Sequence, residues 1–96
     1  MVVGKVVGTV VATRKDEKLL GAKLLVVCQV DMEMHPTSTY AVAVDSVGAG
    51  TGEIVLCVSG SSARLTEATK GMPVDTVVMA IVDSIEVEGK TTFQKR

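Results

Sequence analysis

The 96-residue chain is poor in aromatics, with one Tyr, one Phe and no Trp. A platform on which unpaired bases stack is hard to build from so few rings. The formal net charge is only -1, and no block of like charges occurs, so no nucleic-acid surface is expected. Two cysteines make no disulfide framework. Cys28 and Cys57 lie in the apolar runs "LLVVCQV" and "EIVLCVSG", where they read as buried, reduced thiols of a cytoplasmic protein. No uncharged apolar stretch approaches the roughly 18 residues of a membrane helix. Lys5, Asp31, Asp45, Glu53, Asp75 and Asp83 interrupt the pattern. The start, "MVVGKVVGTVVATRKDE", lacks a basic leader and a cleavage site, so no signal peptide is read there and no membrane partner is expected.

What the chain has is branched aliphatic sequence. Hydrophobic residues make up 47% of it, with a mean hydropathy of +0.40. A chain of this length is expected to form one domain over residues 1–96, hiding about two-thirds of its unfolded surface. The apolar excess therefore predicts a cover, and partner subunits are the simplest one. Val and Ile favour strands, and five are predicted, near 2–13, 23–31, 39–45, 54–59 and 76–87. "RKDEKLLG" reads as a charged loop and "MEMHPTS" as a hairpin tip. "GSSARLTEATK" suits a helix of about two turns, capped by Ser61 or Ser62 and stopped by Gly71. The expected fold is all-β: a five-stranded, OB-like barrel with one short helix before the last long strand. Along 54–58 and 77–82 both strand faces are apolar. One face can line the barrel, and the other needs an oligomer interface.

The stretch "GAGTGE" at 48–53 raises the question of phosphate binding. A P-loop needs Lys and Ser or Thr after its last glycine, then a helix. Here Gly52 is followed by Glu53, which repels phosphate, and by a strand. The dinucleotide fingerprint fails on spacing too. The glycines read instead as a tight loop with positive φ or close backbone approach, which a neighbouring subunit could make. "SGSSAR" is the better anion candidate: Ser61, Ser62 and Arg64 would add donors at a helix start. An ordinary capped helix explains the same residues. Cys28, Asp31, Glu33 and His35 could form a weak metal site, although Pro36 beside them marks a solvated turn. No nucleophile, base and orienting group assemble around Asp45, Asp75 or Asp83, so neither an enzyme nor a cofactor is expected.

The residues themselves are more specific. "GKVVGTVVATRK" at 4–15, "LLGAKLLVVCQVD" at 19–31, "YAVAVDSVGAGTGEIVLCVSGSSAR" at 40–64 and "PVDTVVMAIVDSIEV" at 73–87 occur in one order along nearly the whole chain. In that order they resemble the EutN/CcmL family of bacterial microcompartment vertex proteins. The resemblance implies an OB-related barrel assembled as a homo-pentamer, which closes the vertices of a polyhedral shell in the cytoplasm. Hexagonal shell proteins of a different fold would be its partners, and it would have no catalytic activity of its own. The residues matching the family signature are Gly48, Ala49, Gly50, Gly52 and Glu53, with Ser59, Gly60, Ser61, Ser62 and Arg64. They are expected to shape subunit contacts and the five-fold region. The alternative is a small oligomeric module that binds an anion or metabolite at 59–64.

Overall fold

A computed structural model describes residues 1–96. Seven strands form: β1 (Val2–Val10), β2 (Leu24–Val30), β3 (Pro36–Asp45), β4 (Ile54–Ser59), β5 (Thr76–Ile81), β6 (Ser84–Val87) and β7 (Lys90–Gln94). The first five close into a barrel in the order β1-β2-β3-β5-β4, and β6 pairs with β7 alone. All barrel neighbours are antiparallel except β3 and β5, which run parallel and pair only at Val44–Val77 and Asp45–Val78. The all-β barrel is the fold expected from the strand pattern.

Alternation places Val6, Leu25, Val27, Ala43, Val55, Cys57 and Val78 inside the barrel, where all are buried. Removing such side chains from water is the main stabilising term, at about 25 cal/mol per Å². Gly4 is required at its position: a β-carbon there would overlap Val27 Cγ1 and stand 3.1 Å from the Cys28 carbonyl oxygen. Pro36 opens β3 rather than sitting in the preceding tip, at the strand-initial position where a missing N–H is tolerated. The tip itself is closed by Asp31, whose Oδ1 accepts from the backbone N–H groups of Glu33 and His35, both at 2.9 Å.

Two expectations are corrected. The final strand does not run from 76 to 87. It leaves the barrel after Ile81, where the Val82 N–H donates to the Ile54 carbonyl (2.8 Å). The chain then folds into the β6–β7 hairpin, turning at Glu88 and Gly89 with φ of 51° and 78°. Two successive residues of positive φ are what a two-residue hairpin turn demands. The two-turn helix is also absent. A 3-10 turn covers Gly60–Arg64, Ser59 stands at its N-cap without a side-chain bond, and Ser61 and Ser62 cap nothing. The Gly60 N–H goes to the Asp75 carbonyl (2.7 Å). Buried Thr69 folds back to donate its hydroxyl to the Ala63 carbonyl (2.6 Å). Successive turns then replace a helix through 66–74.

These two segments supply a partial second layer that alternation did not reveal. The hairpin lays Ile85 and Phe93 against the cluster of Val3, Val30 and Ile54, beside which Leu56 also packs. The 3-10 turn lays Ala63 beside Val44, Val58 and Val77. The outer face of β4, expected to lie bare, is therefore largely covered by the chain itself. Apolar residues left outside on the barrel include Val7 and Val10 on β1, Val11 just after it, Tyr40 and Val42 on β3, and Met79 on β5.

Candidate functional site

The glycine loop leaves β3 at Asp45 and enters β4 at Ile54. Its first half is organised by one carboxylate. Asp45 Oδ1 accepts from the N–H groups of Val47 (3.0 Å), Gly48 (3.1 Å) and Ala49 (3.2 Å). Lys23 Nζ donates to the Ala49 carbonyl at 2.9 Å and stands 3.8 Å from Asp45 Oδ2. The second half is organised by Glu53. Its Oε1 accepts from the Gly50 N–H (2.8 Å), and its Oε2 pairs with Lys95 Nζ (2.8 Å). The bond from Lys95, then that from Gly50, holds the Glu53 carboxyl below its ordinary value, while the same pairing raises Lys95. Gly52 donates to the Val6 carbonyl (2.7 Å), and Val6 donates to the Glu53 carbonyl (2.9 Å), which zips the loop onto β1.

The glycines divide by role. Gly48 and Gly52 have φ of 78° and 94°, where a side chain is strained. Gly50 is free of that constraint, and a β-carbon on it would meet only Glu53 Oε1, at 3.6 Å. Ala49 is fully buried, its methyl group set among the barrel's own core residues. Of this loop, Gly48, Thr51 and Gly52 face outward, with Gly50 and Glu53 half-buried. The N–H groups of Val47, Gly48, Ala49, Gly50, Gly52 and Glu53 all point to carboxylates or carbonyls of their own chain, which is the reverse of a phosphate cradle.

Gly60, Ser61, Ser62 and Arg64 are exposed on the 3-10 turn, and Ser59 is exposed at its N-cap, the last residue of β4. Gly60, Ser61 and Arg64 share a shallow hollow with Pro73, Val74 and Asp75. The Asp75 carboxylate opposes an anion there, and a turn of five residues has little dipole to offer. The anion-binding alternative thus loses the helix on which it rested. The residues weighed for a metal do not converge. Cys28 is buried with Sγ 3.4 Å from the Thr37 carbonyl, whereas Asp31 and His35 pair with each other at 3.4 Å on the exposed tip. No three His, Cys, Asp or Glu side chains come together as a metal-holding group. No helix is long and apolar enough to cross a membrane.

Sequence reasoning missed three residues of this region. Lys23 and Lys95 lie in no site motif, yet they tie down the two halves of the loop from 26 and 42 residues away. Tyr40, one of two aromatics, stands 62% exposed on β3. Its signal was legible: a lone tyrosine in "PTSTYAVAV", a strand with no charge to keep it in water.

Residues 1–83 match the protein-family model "Ethanolamine utilisation protein EutN/carboxysome". The match ends where β5 has left the barrel and the hairpin begins. Among curated proteins, the bacterial microcompartment shell vertex protein GrpN of Rhodospirillum rubrum (strain F11) is 48% identical over 86 residues, covering 90% of this chain and 97% of that protein. The shell vertex protein EutN of Salmonella typhimurium (strain LT2) is 47% identical over 90 residues, covering 94% and 91%. Among solved structures, CcmL of Nostoc sp. PCC 7120 superposes with a TM-score of 0.95 at 47% identity, covering 99% of this chain and 100% of that one. The GrpN pentameric microcompartment shell protein from Rhodospirillum rubrum superposes with a TM-score of 0.83 at 47% identity, covering 91% and 99%.

Proposed function

The chain belongs to the EutN/CcmL family, and from that premise we propose that five copies form a ring that caps a vertex of a polyhedral microcompartment shell. The shell lies in the cytoplasm. The chain acts there as one structural unit over residues 1–96, and it bonds to other subunits rather than to a substrate. Its neighbours beyond the ring are the hexagonal proteins that tile the facets. A cyclic ring needs two different patches on each copy, one meeting the other across every joint. Loop 48–53 and turn 59–64 lie at such a joint or near the five-fold axis.

The observation that carries this reading is the near-complete superposition of the barrel on a shell protein described as pentameric. The surface is consistent with it. Val7, Val10, Val11, Tyr40 and Val42 are 36% to 88% exposed although the hairpin and the 3-10 turn cover other parts of the barrel. Apolar area of this kind is stabilising only when a partner removes it from water. Native mass spectrometry across a concentration series tests the reading. The expected mass is five times 10.0 kDa; a chain that stays monomeric at every concentration overturns it.

A further inference from the structure

We propose that the open edge of β3 from Thr37 to Val42, with Tyr40 at its centre, is the receiving side of the subunit joint, and that its occupant is a second copy of this chain. The inference rests on the ring reading above and specifies where one half of the joint lies.

The first observation is topological. β3 is paired with β2 from Pro36 to Val44. On its other side it meets β5 only at Val44 and Asp45. The stretch before Val44 therefore has a neighbour on one side alone, and its alternate backbone groups face outward without a strand to bind them. Six residues of strand span about 20 Å, long enough to fix the register of an incoming backbone.

The second observation is chemical. Monomeric proteins guard an open edge with charge, an inward-pointing lysine, or a covering helix. Pro36 through Val44 carry no charge at all, and Pro36–Val42 are exposed on both faces. The edge has no protection except the proline at its start. A chain that kept such an edge free in water would pair with any strand it met. An edge reserved for an identical neighbour has no need of charges, which would have to be desolvated in the joint.

The third observation is the shape around Tyr40. Tyr40 borders two hollows. One, of about 440 Å³, is lined by Cys28, Val30, Pro36, Ile54 and Phe93 among others. The other, of about 130 Å³, opens between Thr39–Ala41 on β3 and Cys57 and Ser59 on β4. An exposed aromatic residue that borders two largely apolar hollows, beside unpaired backbone, has the make-up of an interface anchor. Lys5 is the one charged residue bordering either hollow, so neither a nucleic acid nor a strongly charged partner fits the site. A second copy does: it brings its own uncharged apolar surface, and a different patch of it, as cyclic closure requires.

Residue-resolved amide exchange on the wild-type protein at ring-forming concentration tests this. The expected result is that the amides of Thr37–Val42 not bound by β2 exchange slower than their free-chain rates by about tenfold or more. Val42→Lys places a charge on the edge at a position exposed in the single chain. It is expected to leave the barrel folded by circular dichroism and to raise the dissociation constant of the ring by about tenfold or more. Free exchange at those amides in an intact ring, or a Val42→Lys ring as stable as wild type, overturns the β3 joint and leaves the ring reading standing. Absence of any ring in the wild type removes both.

Discussion

Lys23 and Asp45 meet where β2 enters the barrel and β3 leaves it, with Nζ 3.8 Å from Oδ2. The two ends of the contact differ in kind: the Asp45 side chain is only 3% exposed, and the Lys23 side chain is 54% exposed. The lysine is thus a half-solvated counter-charge, and the carboxylate is the structural centre, since three consecutive backbone donors converge on Oδ1. Asp45→Ala strands those donors and is expected to cost about 2–3 kcal/mol of folding stability. Asp45→Asn, which retains the acceptor oxygen, costs less. Urea midpoints of the two variants measure the difference. Lys23→Met costs under about 1 kcal/mol, because its pairing is screened by water.

The Glu53–Lys95 pair predicts a pH dependence. The bond to Lys95, then that to Gly50, lowers the Glu53 pKa in the folded chain from its ordinary 4.5. A carboxylate shifted down stabilises the fold above its unfolded value, and that contribution disappears as pH falls through the lower folded value. Lys95 is shifted up from 10.5, so its contribution is complete below that value and fades as pH rises through the raised one. Urea midpoints followed from about pH 5 to about pH 3 should therefore fall less steeply in Glu53→Gln than in wild type. Equal slopes would show that the clasp between the loop and the tail does not couple to folding.

Gly50 and Gly52, two residues apart, are expected to respond in opposite ways. Gly52→Ala forces a side chain onto a backbone with φ of 94° and is expected to destabilise the single chain by about 1–2 kcal/mol. The β-carbon of Gly50→Val meets nothing in its own chain closer than Glu53 Oε1 at 3.6 Å, and Gly50 is not at positive φ, so the barrel should keep its stability within about 1 kcal/mol. If the glycine loop packs against a neighbour, Gly50→Val nonetheless weakens the ring, as mass measured on dilution will reveal. A fully stable Gly50→Val ring places the loop away from the joint.

Burial pushes the Cys57 thiol up to about 11. The thiolate needed for reaction is then scarce at neutral pH, and both cysteines are buried and unpaired. An aromatic disulfide reagent should label neither sulfur in the native protein and both in urea. Prompt labelling of Cys57 in the folded protein would contradict the packing seen at the barrel core.

Much of this molecule was written locally in its sequence. Alternation along β4 and β5 was visible because side chains on a strand repeat every two residues, so Val55 and Cys57 could be set on one face of β4, and Val78 opposite Val77 on β5, without coordinates. Gly48 and Gly52 declared a tight loop, Glu53 excluded phosphate, and the four stretches from Gly4 to Val87 pointed to the family. The elements decided by tertiary structure are those whose cause lies far away in the chain. The break after Ile81 depends on the Ile54 carbonyl capturing Val82, and the tail becomes a hairpin because Phe93 finds a surface on Val3, Val30 and Ile54. The segment from Gly60 to Lys70 has good helical propensity, but the Asp75 carbonyl and buried Thr69 hold it in turns. Ala49 reads as one more small loop residue, and only barrel closure reveals it as core. Local preferences act on a residue and its few neighbours, whereas burial and long-range hydrogen bonds exist only after distant strands have met.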